Sequence, residues 1–221
     1  MIVAIDGPAG AGKSTIATEV AKHLGYQLID TGAMYRTLAK RAMDLDIDLK
    51  DASSVAHLAS TLNFKFELHN GENTVSCNGE ELGKEIRTAK VSDASSIVSA
   101  FAEVRLALLE LQREIGQNGD TVLEGRDIGT VVFPKAEVKI FLTASAEARA
   151  KRRVAQMRRG GEDSEFETVL SEIVKRDKRD RTRTMSPLIK ADDAVEVDST
   201  EYEVKEVVDL VLNLVNERSQ Q

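Results

Sequence analysis

Three features of the sequence predict an α/β fold built on a doubly wound parallel sheet. The chain opens on the apolar run MIVAI, which is followed by the glycine-rich stretch GPAGAGKST at residues 7–15 and then by a helical pattern. Short β-branched segments alternate with amphipathic helical segments along most of the remaining sequence. Such alternation is typical of a parallel sheet with helices on both faces. We therefore expect a ligand site at the carboxyl ends of the strands.

The glycine-rich stretch matches the pattern G-x-x-x-x-G-K-[ST] without a mismatch. Glycines let the backbone turn tightly and aim N–H groups at an anion, and the following helix adds its positive N-terminal end. An ordinary glycine turn is disfavoured because a predicted strand precedes the stretch and a helix follows it. Lys13 is expected to reach the β- and γ-phosphates, and the Ser14 hydroxyl to bind Mg²⁺. The predicted ATP-binding residues are Gly7, Pro8, Ala9, Gly10, Ala11, Gly12, Lys13, Ser14 and Thr15.

The segments that follow continue this pattern as far as residue 60. A helix is predicted to stop at Gly25, and YQLID at 26–30 has the composition of a buried strand. Two further helices are expected over 31–48 and 52–60.

Residues 62–82 have a different character from the segments before them. Apolar and polar residues alternate there, and the pairs Asn70-Gly71 and Asn78-Gly79 mark two turns. This stretch predicts a small antiparallel β-meander inserted into the α/β chain.

The second half returns to alternating strands and helices. Its predicted elements are a helical region over 89–117, strands at 121–127 and 138–143, helices at 145–158 and 165–182, a strand at 194–198 and a closing helix. Thr200 and Glu203 have capping-box spacing for the start of that last helix. Because no repeat or long linker interrupts the sequence, we expect one domain over residues 1–221.

Composition narrows the class of protein. The chain is 42% hydrophobic and 30% charged, and it has no apolar run long enough for a membrane span, so a soluble protein is expected. Its N-terminus lacks the basic region of a secretory signal, which favours a cytoplasmic location. Cys77 is the single cysteine, which excludes a disulfide framework and a cysteine-rich zinc site. His23, His57 and His69 have no metal-ligand spacing.

The charge balance argues against nucleic acid as a partner. The formal net charge is −7 and the sequence pI is near 5.2. Proteins that grip nucleic acid usually carry a basic excess, and those that stack single-stranded bases use aromatic residues, which make up only 4% here. We expect small-molecule partners and a monomer.

Arginines nevertheless cluster over residues 149–183. In KRDKRDRTR at 175–183, Arg176, Asp180 and Arg183 fall on one face of a helix. Guanidinium groups bind phosphate oxygens in a fork, so this face is suited to a phosphorylated substrate. A solvated helix surface with Arg–Asp pairs is the alternative.

A second basic segment, at 148–161, carries Arg149, Arg152 and Arg153 on adjoining turns. An exposed basic helix is one interpretation. The other is a helical lid over about 148–164, which closes arginines over the transferring phosphoryl group and excludes water. Exclusion of water favours a kinase over an ATPase.

The rival class is a nucleotide-dependent switch that hydrolyses its nucleotide. A guanine-nucleotide switch usually carries Asp-x-x-Gly and Asn-Lys-x-Asp, and neither pattern occurs in this sequence. A kinase for another monophosphate or a small metabolite also stays open at this point.

Several stretches together resemble the bacterial cytidylate (CMP) kinases. They are GPAGAGKST, LIDTGAMYR, EIRT, EGRDIGTVVFP, KIFLTAS with the arginines after it, and the RD–RD–R–PL series, and they occur in this order over essentially the whole chain. The resemblance implies the nucleoside monophosphate kinase type of P-loop fold, with a β insert, a monophosphate-binding lobe over about 31–115 and a helical lid. It also implies transfer of the γ-phosphoryl group of ATP to CMP or dCMP with Mg²⁺.

The same resemblance assigns residues to the two substrates. The implied CMP-binding residues are Thr31, Tyr35, Arg36, Ser96, Arg105, Arg126, Asp127, Arg176, Asp180 and Arg183. The implied catalytic residues are Lys13, Arg126, Arg149, Arg152, Arg153, Arg176 and Arg183.

The resemblance also implies a role for each of these positions. Arg36 and Arg183 would bind the acceptor phosphate, with Arg126 beside the phosphates. Asp127 would hold the ribose hydroxyls with help from Arg176.

The base would be read by three further residues. Ser96 and Arg105 would meet the cytosine ring, and Asp180 would accept a hydrogen bond from its amino group or position Arg105. Two positions depart from the family pattern: Thr31 replaces a common serine, and Glu124 replaces the aspartate often found before GRD. Glu124 keeps a carboxylate but extends it by one methylene, which leaves a role on the metal side open.

Overall fold

The protein is described by a computed structural model over residues 1–69, 72–117, 119–161 and 163–219. The described strands, in chain order, are β1 (Ile2–Asp6), β2 (Gln27–Asp30), β3 (Phe64–His69), β4 (Glu72–Cys77), β5 (Glu80–Glu81), β6 (Thr121–Gly125), β7 (Val138–Thr143) and β8 (Val195–Asp198). The described α-helices are α1 (Lys13–Leu24), α2 (Thr31–Asp44), α3 (Ala52–Ser60), α4 (Ala89–Val98), α5 (Ala102–Gly116), α6 (Ala146–Arg159), α7 (Phe166–Thr182) and α8 (Val204–Ser219).

Five strands form one parallel sheet in the order β2-β6-β1-β7-β8. The central strand β1 pairs with β6 on one side and β7 on the other, so that Val3 lies opposite both Val122 and Val138. Strands β1, β6 and β7 are apolar and almost wholly buried, as expected when helices cover both faces of a sheet. The predicted parallel sheet is confirmed.

Each face of the sheet has its own apolar core. Successive side chains of a strand point to opposite faces, so Val3 packs toward α1 and α8 whereas Ala4 packs toward α2 and α5. Val20 and Val211 belong to the first core, and Leu108 belongs to the second. This arrangement confirms the doubly wound architecture.

The insert is an antiparallel sheet in the order β3-β4-β5. Asn78 and Gly79 join β4 to β5 with φ angles of 52° and 83°, as a two-residue type I′ turn requires. The Asn78-Gly79 turn is therefore confirmed, whereas Asn70-Gly71 lies outside the described residues. Phe66 and Cys77 are buried and join the core that contains α2 and α5.

Two predicted helices have different bounds in the structure. The helical region over 89–117 is divided into α4 and α5, because Phe101 has an extended backbone with φ −81° and ψ 133°. Helix α2 stops at Asp44 and not at residue 48, and Asp46 then takes a positive φ of 53°.

The predicted capping box of α8 is wrong by one turn. The helix begins at Val204, and the Glu206 carboxylate accepts a hydrogen bond of 2.8 Å from the Glu203 N–H. The Thr200 hydroxyl donates to Asp198 instead.

Helices α6 and α7 form a hairpin with a small core of its own. Ala150 and Val154 on α6 are buried together with Val169 and Ile173 on α7. The hairpin can therefore hold its internal packing independently of the two sheet cores. Within the described part of the chain, every helix is too short or too polar to cross a membrane.

Candidate active site at the carboxyl edge of the sheet

The carboxyl ends of four neighbouring strands bring the predicted residues to one edge of the sheet. Strand β1 ends at Asp6 before the glycine-rich loop, β2 ends at Asp30, β6 ends at Gly125, and β7 ends at Thr143. Ligands bind at this edge in open α/β sheets. Residues that are far apart in the sequence therefore lie close together at this edge.

The glycine-rich loop has the backbone of an anion cradle. Gly7, Gly10 and Gly12 have φ angles of 149°, 78° and 98°. A Cβ on Gly7 would lie 1.9 Å from the carbonyl oxygen of Leu142, so a side chain has no room there. Gly12 precedes α1 and supplies no side-chain cap, which leaves the N-terminal end of the helix open to an anion.

Lys13 is buried at the start of α1. Its Nζ donates a hydrogen bond of 2.8 Å to the carbonyl oxygen of Pro8. Burial, followed by the positive charge of Arg126, lowers the pKa of Lys13 to about 7, against the smaller opposing effect of Glu124. A phosphate chain in the loop would restore the full charge of this ammonium group.

Glu124 places a buried carboxylate beside the loop. Its side chain is 4% exposed, and its Oε1 lacks a hydrogen-bond partner among the described residues. Burial and the nearby Asp30 raise the pKa of Glu124 to about 7, against the opposing effects of Lys13 and the Ser14 hydroxyl. A free carboxylate oxygen next to a hydroxyl is a donor set that Mg²⁺ prefers, so these residues fit that ion.

The start of α2 is held by Asp30. Its carboxylate accepts 2.9 Å from the Ala33 N–H as an N-cap and pairs with Arg36 at 2.7 Å. Arg87, from the EIRT stretch, lies 3.8 Å from the same carboxylate. Thr31 directs its hydroxyl to the carbonyl oxygen of Glu124 at 2.7 Å, so that hydroxyl is engaged by the backbone.

Arg105 and Asp127 form a buried ion pair. The Arg105 guanidinium donates to Asp127 and lies 5.4 Å from the centre of the Tyr35 ring. Arg183 approaches the second oxygen of Asp127 at 3.8 Å. The Nε of Arg105 and one terminal nitrogen of Arg183 have no hydrogen-bond partner among the described residues, which leaves both able to donate to a ligand.

Asp180 is buried between two other arginines. Arg126 Nε lies 3.2 Å and Arg176 Nε lies 3.9 Å from one Asp180 oxygen. Burial alone would raise the pKa of Asp180, but Arg126, Arg176 and Arg183 together hold it below its ordinary value. The negative charge of Asp180 is therefore balanced by neighbouring arginines inside the protein.

Arg176 contacts α4 and Asp180. Its guanidinium donates 2.8 Å to the Ser92 hydroxyl and approaches Asp180, whereas Arg105 and Arg183 are the arginines beside Asp127. The help that Arg176 is expected to give Asp127 at the ribose stays a prediction. The helical face predicted for Arg176, Asp180 and Arg183 exists, since α7 carries the first two and ends at the third.

Ser96 has an unused hydroxyl. The residue is 2% exposed on α4, and its Oγ has no hydrogen-bond partner among the described residues. A buried hydroxyl without a partner costs free energy, so its hydrogen bond is available to a ligand.

The three basic residues of the predicted lid have different surroundings. Arg149 is buried and donates to Ala9 of the glycine-rich loop at 3.1 Å. Arg152 donates to the Ser199 hydroxyl at 3.1 Å, and that hydroxyl lies 3.0 Å from the Ala11 carbonyl oxygen. Arg153 is half-buried and contacts Gln156 on its own helix.

Sequence reasoning missed several residues that support the site. Asp6 is the clearest case, because its carboxylate accepts 2.8 Å bonds from the N–H groups of Ile128 and Gly129 and so holds the turn after Asp127. Burial raises the pKa of Asp6 to about 6 despite these bonds. Its position directly before the first loop glycine was a usable signal. Ser92, Asp177 and Ser199 carried no such signal.

Comparisons with known proteins give a consistent result. A family model described as cytidylate kinase matches residues 3–217. The chain is 46% identical over 212 residues to Cytidylate kinase 1 of Haemophilus influenzae, which covers 96% of this chain and 92% of that protein. It is 47% identical over 218 residues to a cytidylate kinase of a Geobacter species, with 99% and 94% covered.

A solved structure adds support for the fold alone. An uncharacterized protein from Eubacterium ventriosum superposes with a TM-score of 0.51 at 14% identity, with 98% of each chain covered. The family model and the two relatives extend over nearly the whole sequence. The chain therefore belongs to the cytidylate kinase family.

Proposed function

We propose that this protein transfers the γ-phosphoryl group of ATP to CMP or dCMP. An oxygen of the acceptor phosphate forms a bond to the γ-phosphorus while the bond to the β–γ bridging oxygen breaks, which gives CDP or dCDP and ADP. The observation that carries this proposal is that two different kinds of site lie together at the carboxyl edge of the sheet. A glycine-rich anion cradle with buried Lys13 lies beside a buried network of arginines and aspartates.

The donor side would be held by the loop and α1. Residues 7–15 would bind the ATP phosphates through backbone N–H groups, and Lys13 would neutralise the β- and γ-phosphates. Ser14 would bind Mg²⁺, and the free oxygen of Glu124 supports a place for that carboxylate around the ion. The metal, when bound, supplies charge neutralisation between the phosphates.

The acceptor phosphate would lie among arginines. Arg36, Arg126 and Arg183 are the candidates, because each is part of the buried network around Asp30, Asp127 and Asp180. Phosphoryl transfer requires in-line positioning and charge stabilisation more than covalent help, which is consistent with a site of this composition.

The base would be read by Asp180, Ser96 and Arg105. Asp180 carries a negative charge and can accept a hydrogen bond, so an exocyclic amino group fits it better than a carbonyl oxygen. Uracil would leave this acceptor unpaired, and CMP should therefore be preferred to UMP. Asp127, next to Arg105 and Arg183, would bind the ribose.

The remaining parts of the chain would close the site over its substrates. We place the monophosphate-binding lobe and its β insert at about 31–115 and the lid at about 148–164 within one kinase domain. Ala150 and Val154 of the lid pack against α7, so α7 would be the support on which the lid moves. We also propose a cytoplasmic monomer that does not bind nucleic acid.

The test is ADP production with ATP, Mg²⁺ and one acceptor at a time. The acceptors are CMP, dCMP, UMP, AMP, GMP and dTMP. We expect strong turnover with CMP and dCMP and weak turnover with UMP. Turnover with another acceptor would keep the kinase and discard the base-reading residues. Loss of ATP that does not depend on any acceptor would overturn the kinase proposal.

A further inference from the structure

Arg149 connects three parts of the molecule. Its Nε donates 2.9 Å to the carbonyl oxygen of Ala144, which precedes its own helix α6. One terminal nitrogen donates 3.1 Å to the carbonyl oxygen of Ala9 in the glycine-rich loop. Both terminal nitrogens pair with the Asp177 carboxylate on α7, at 3.1 and 2.6 Å. The side chain is 5% exposed, so these bonds are shielded from water.

These partners occupy most of the hydrogen-bonding capacity of the guanidinium group. A guanidinium has five N–H donors, and four bonds to Ala144, Ala9 and Asp177 leave one of them. Arg149 also packs against the loop itself, since a Cβ on Gly10 would lie 3.2 Å from the Arg149 Cβ. Arg149 is thus bound to the carbonyl side of the loop backbone.

The direction of the Ala9 carbonyl matters for anion binding. In a glycine-rich cradle the N–H groups point inward and the carbonyl oxygens point away. A carbonyl oxygen that turned inward would meet the phosphates with its negative end. Arg149 holds the Ala9 oxygen in its present direction, and a bidentate carboxylate fixes a guanidinium in one orientation.

Asp177 lies on the helix that serves the acceptor side. It follows Arg176 directly and precedes Asp180 by less than one helical turn on α7. Its carboxylate pairs with Arg149 on α6, and Arg149 in turn donates to Ala9 in the loop. One helix therefore carries residues of the acceptor network and the anchor of the donor loop.

We propose that Asp177 is a positioning residue for ATP, acting through Arg149 on the Ala9 carbonyl. The inference rests on the proposed function in that the loop binds ATP. Without the carboxylate, Arg149 loses its fixed orientation and the loop loses the donor that holds Ala9. The effect falls on ATP and leaves the acceptor nucleotide largely unaffected.

The test compares Asp177→Asn with Asp193→Asn. Both oxygens of Asp193 accept 2.8 Å bonds from the single Nζ of Lys139, which is as buried as Arg149, although Asp193 itself is exposed. Lys139 lies in the first half of β7, whereas the phosphate loop lies at the carboxyl edge of the sheet. Direct ATP binding is measured by calorimetry without acceptor, together with KM for each substrate and Tm.

We expect Asp177→Asn to raise the ATP dissociation constant and KM by about 10-fold, the effect of losing one charge-assisted hydrogen bond. KM for CMP should change by less than about 2-fold. Asp177→Glu should recover part of the ATP affinity because it keeps the charge. Asp193→Asn should lower Tm by less, because the Asp193 side chain is 66% exposed, and should leave both KM values unchanged.

Two results would overturn the inference. A lower Tm for Asp177→Asn with unchanged ATP binding would show that the pair is structural only. An equal rise in both KM values would show that the effect of Asp177 is not specific to ATP. Wild-type protein that fails to bind ATP would instead overturn the proposed function, and the inference with it. Calorimetry on the wild type separates these cases.

Discussion

The glycine-rich donor loop and the acceptor network are built in opposite ways. The acceptor network is the cluster proposed to bind the acceptor, made of Arg105, Arg126, Arg176 and Arg183 with Asp127 and Asp180. The loop comes from consecutive residues 7–15, between one strand and one helix. In the acceptor network, Arg105 and Asp127 are 22 residues apart, Arg126 and Asp180 are 54 apart, and Ser92 and Arg176 are 84 apart. A motif specifies the first, whereas only the completed fold assembles the second.

The charges of the loop and of the acceptor network also differ. The loop offers backbone N–H groups and one buried lysine, and burial disfavours the charge of that lysine. In the acceptor network four arginines share two buried aspartates, so each aspartate is paired: Arg105 and Arg183 with Asp127, and Arg126 and Arg176 with Asp180. Mutations in the two regions should therefore change the free energy of unfolding in opposite directions. Removal of Lys13 from the loop removes an unfavourable buried charge, whereas removal of an aspartate from the network leaves its arginines without a partner.

The largest effect is expected for Lys13→Met. Loss of the ammonium group should lower kcat by about 10³-fold, as for other groups that stabilise developing charge. The pKa of Lys13 is lowered from 10.5 to about 7, so the folded state disfavours its charge. That cost is fully present below pH 7 and disappears as the pH rises toward 10.5. Denaturant unfolding at pH 7 should show a variant at least as stable as the wild type, and a clear loss of stability would contradict this.

Asp180→Ala should show the opposite pattern. It leaves Arg126 and Arg176 buried without their shared carboxylate, which typically costs about 3–5 kcal/mol. We expect a lower Tm and a fall of about 10²-fold in kcat/KM for CMP, with KM for ATP changed much less. Asp180→Asn keeps the shape and serves as the milder variant.

The same variant tests base recognition. The ratio of kcat/KM for CMP over UMP should fall in Asp180→Ala, because the acceptor that rejects uracil is gone. An undiminished preference for CMP would remove Asp180 from the base-reading residues.

The contrast also explains what could be predicted from the sequence. The loop, Gly25 at the end of α1 and the Asn78-Gly79 turn were all predictable, because each is a local pattern with a local physical cause. The partners of the arginines were not. The packing of α7 against α4 brings Arg176 to Ser92, and no spacing in the sequence predicts that contact.

Family resemblance assigned residues to the acceptor but did not predict their bonds within the protein. The Thr31 hydroxyl donates to the Glu124 carbonyl oxygen, and Arg149 contacts Ala9 and Asp177. Their roles toward substrates stay predictions. The division of the 89–117 region into α4 and α5 was also missed, because its apolar periodicity continues through the break at Phe101.

A smaller effect is expected for Ser96→Ala. Its buried hydroxyl has no described partner, so its removal should leave the free energy of unfolding unchanged or slightly higher. KM for CMP should rise by about 5- to 10-fold if the hydroxyl serves the base. The matched control is Ser95→Ala, since the Ser95 hydroxyl donates 2.7 Å to Ser92. The control should lose stability and keep KM; a Ser96 variant that behaves like it would count against a ligand role.

The smallest effect is expected for Gly79→Ala in the insert. A Cβ there meets no heavy atom within 4 Å, so the cost comes only from the positive φ of 83°. Such strain amounts to about 1 kcal/mol, visible as a small decrease in the denaturant midpoint. Steady-state activity should be unchanged, and a loss of activity would show that the insert has a role in turnover.

The lowered pKa of Lys13 has a consequence for binding heats. At pH 7 only part of the empty protein carries a proton on this amine, because its pKa is about 7. A phosphate chain in the loop favours the protonated form, so metal-free ATP should draw a proton from the solvent as it binds. The measured enthalpy would then depend on the ionisation heat of the buffer, and equal heats in phosphate and Tris would argue against proton uptake. The loop is in this sense a proton-coupled receptor whose apparent affinity weakens as the solution becomes alkaline.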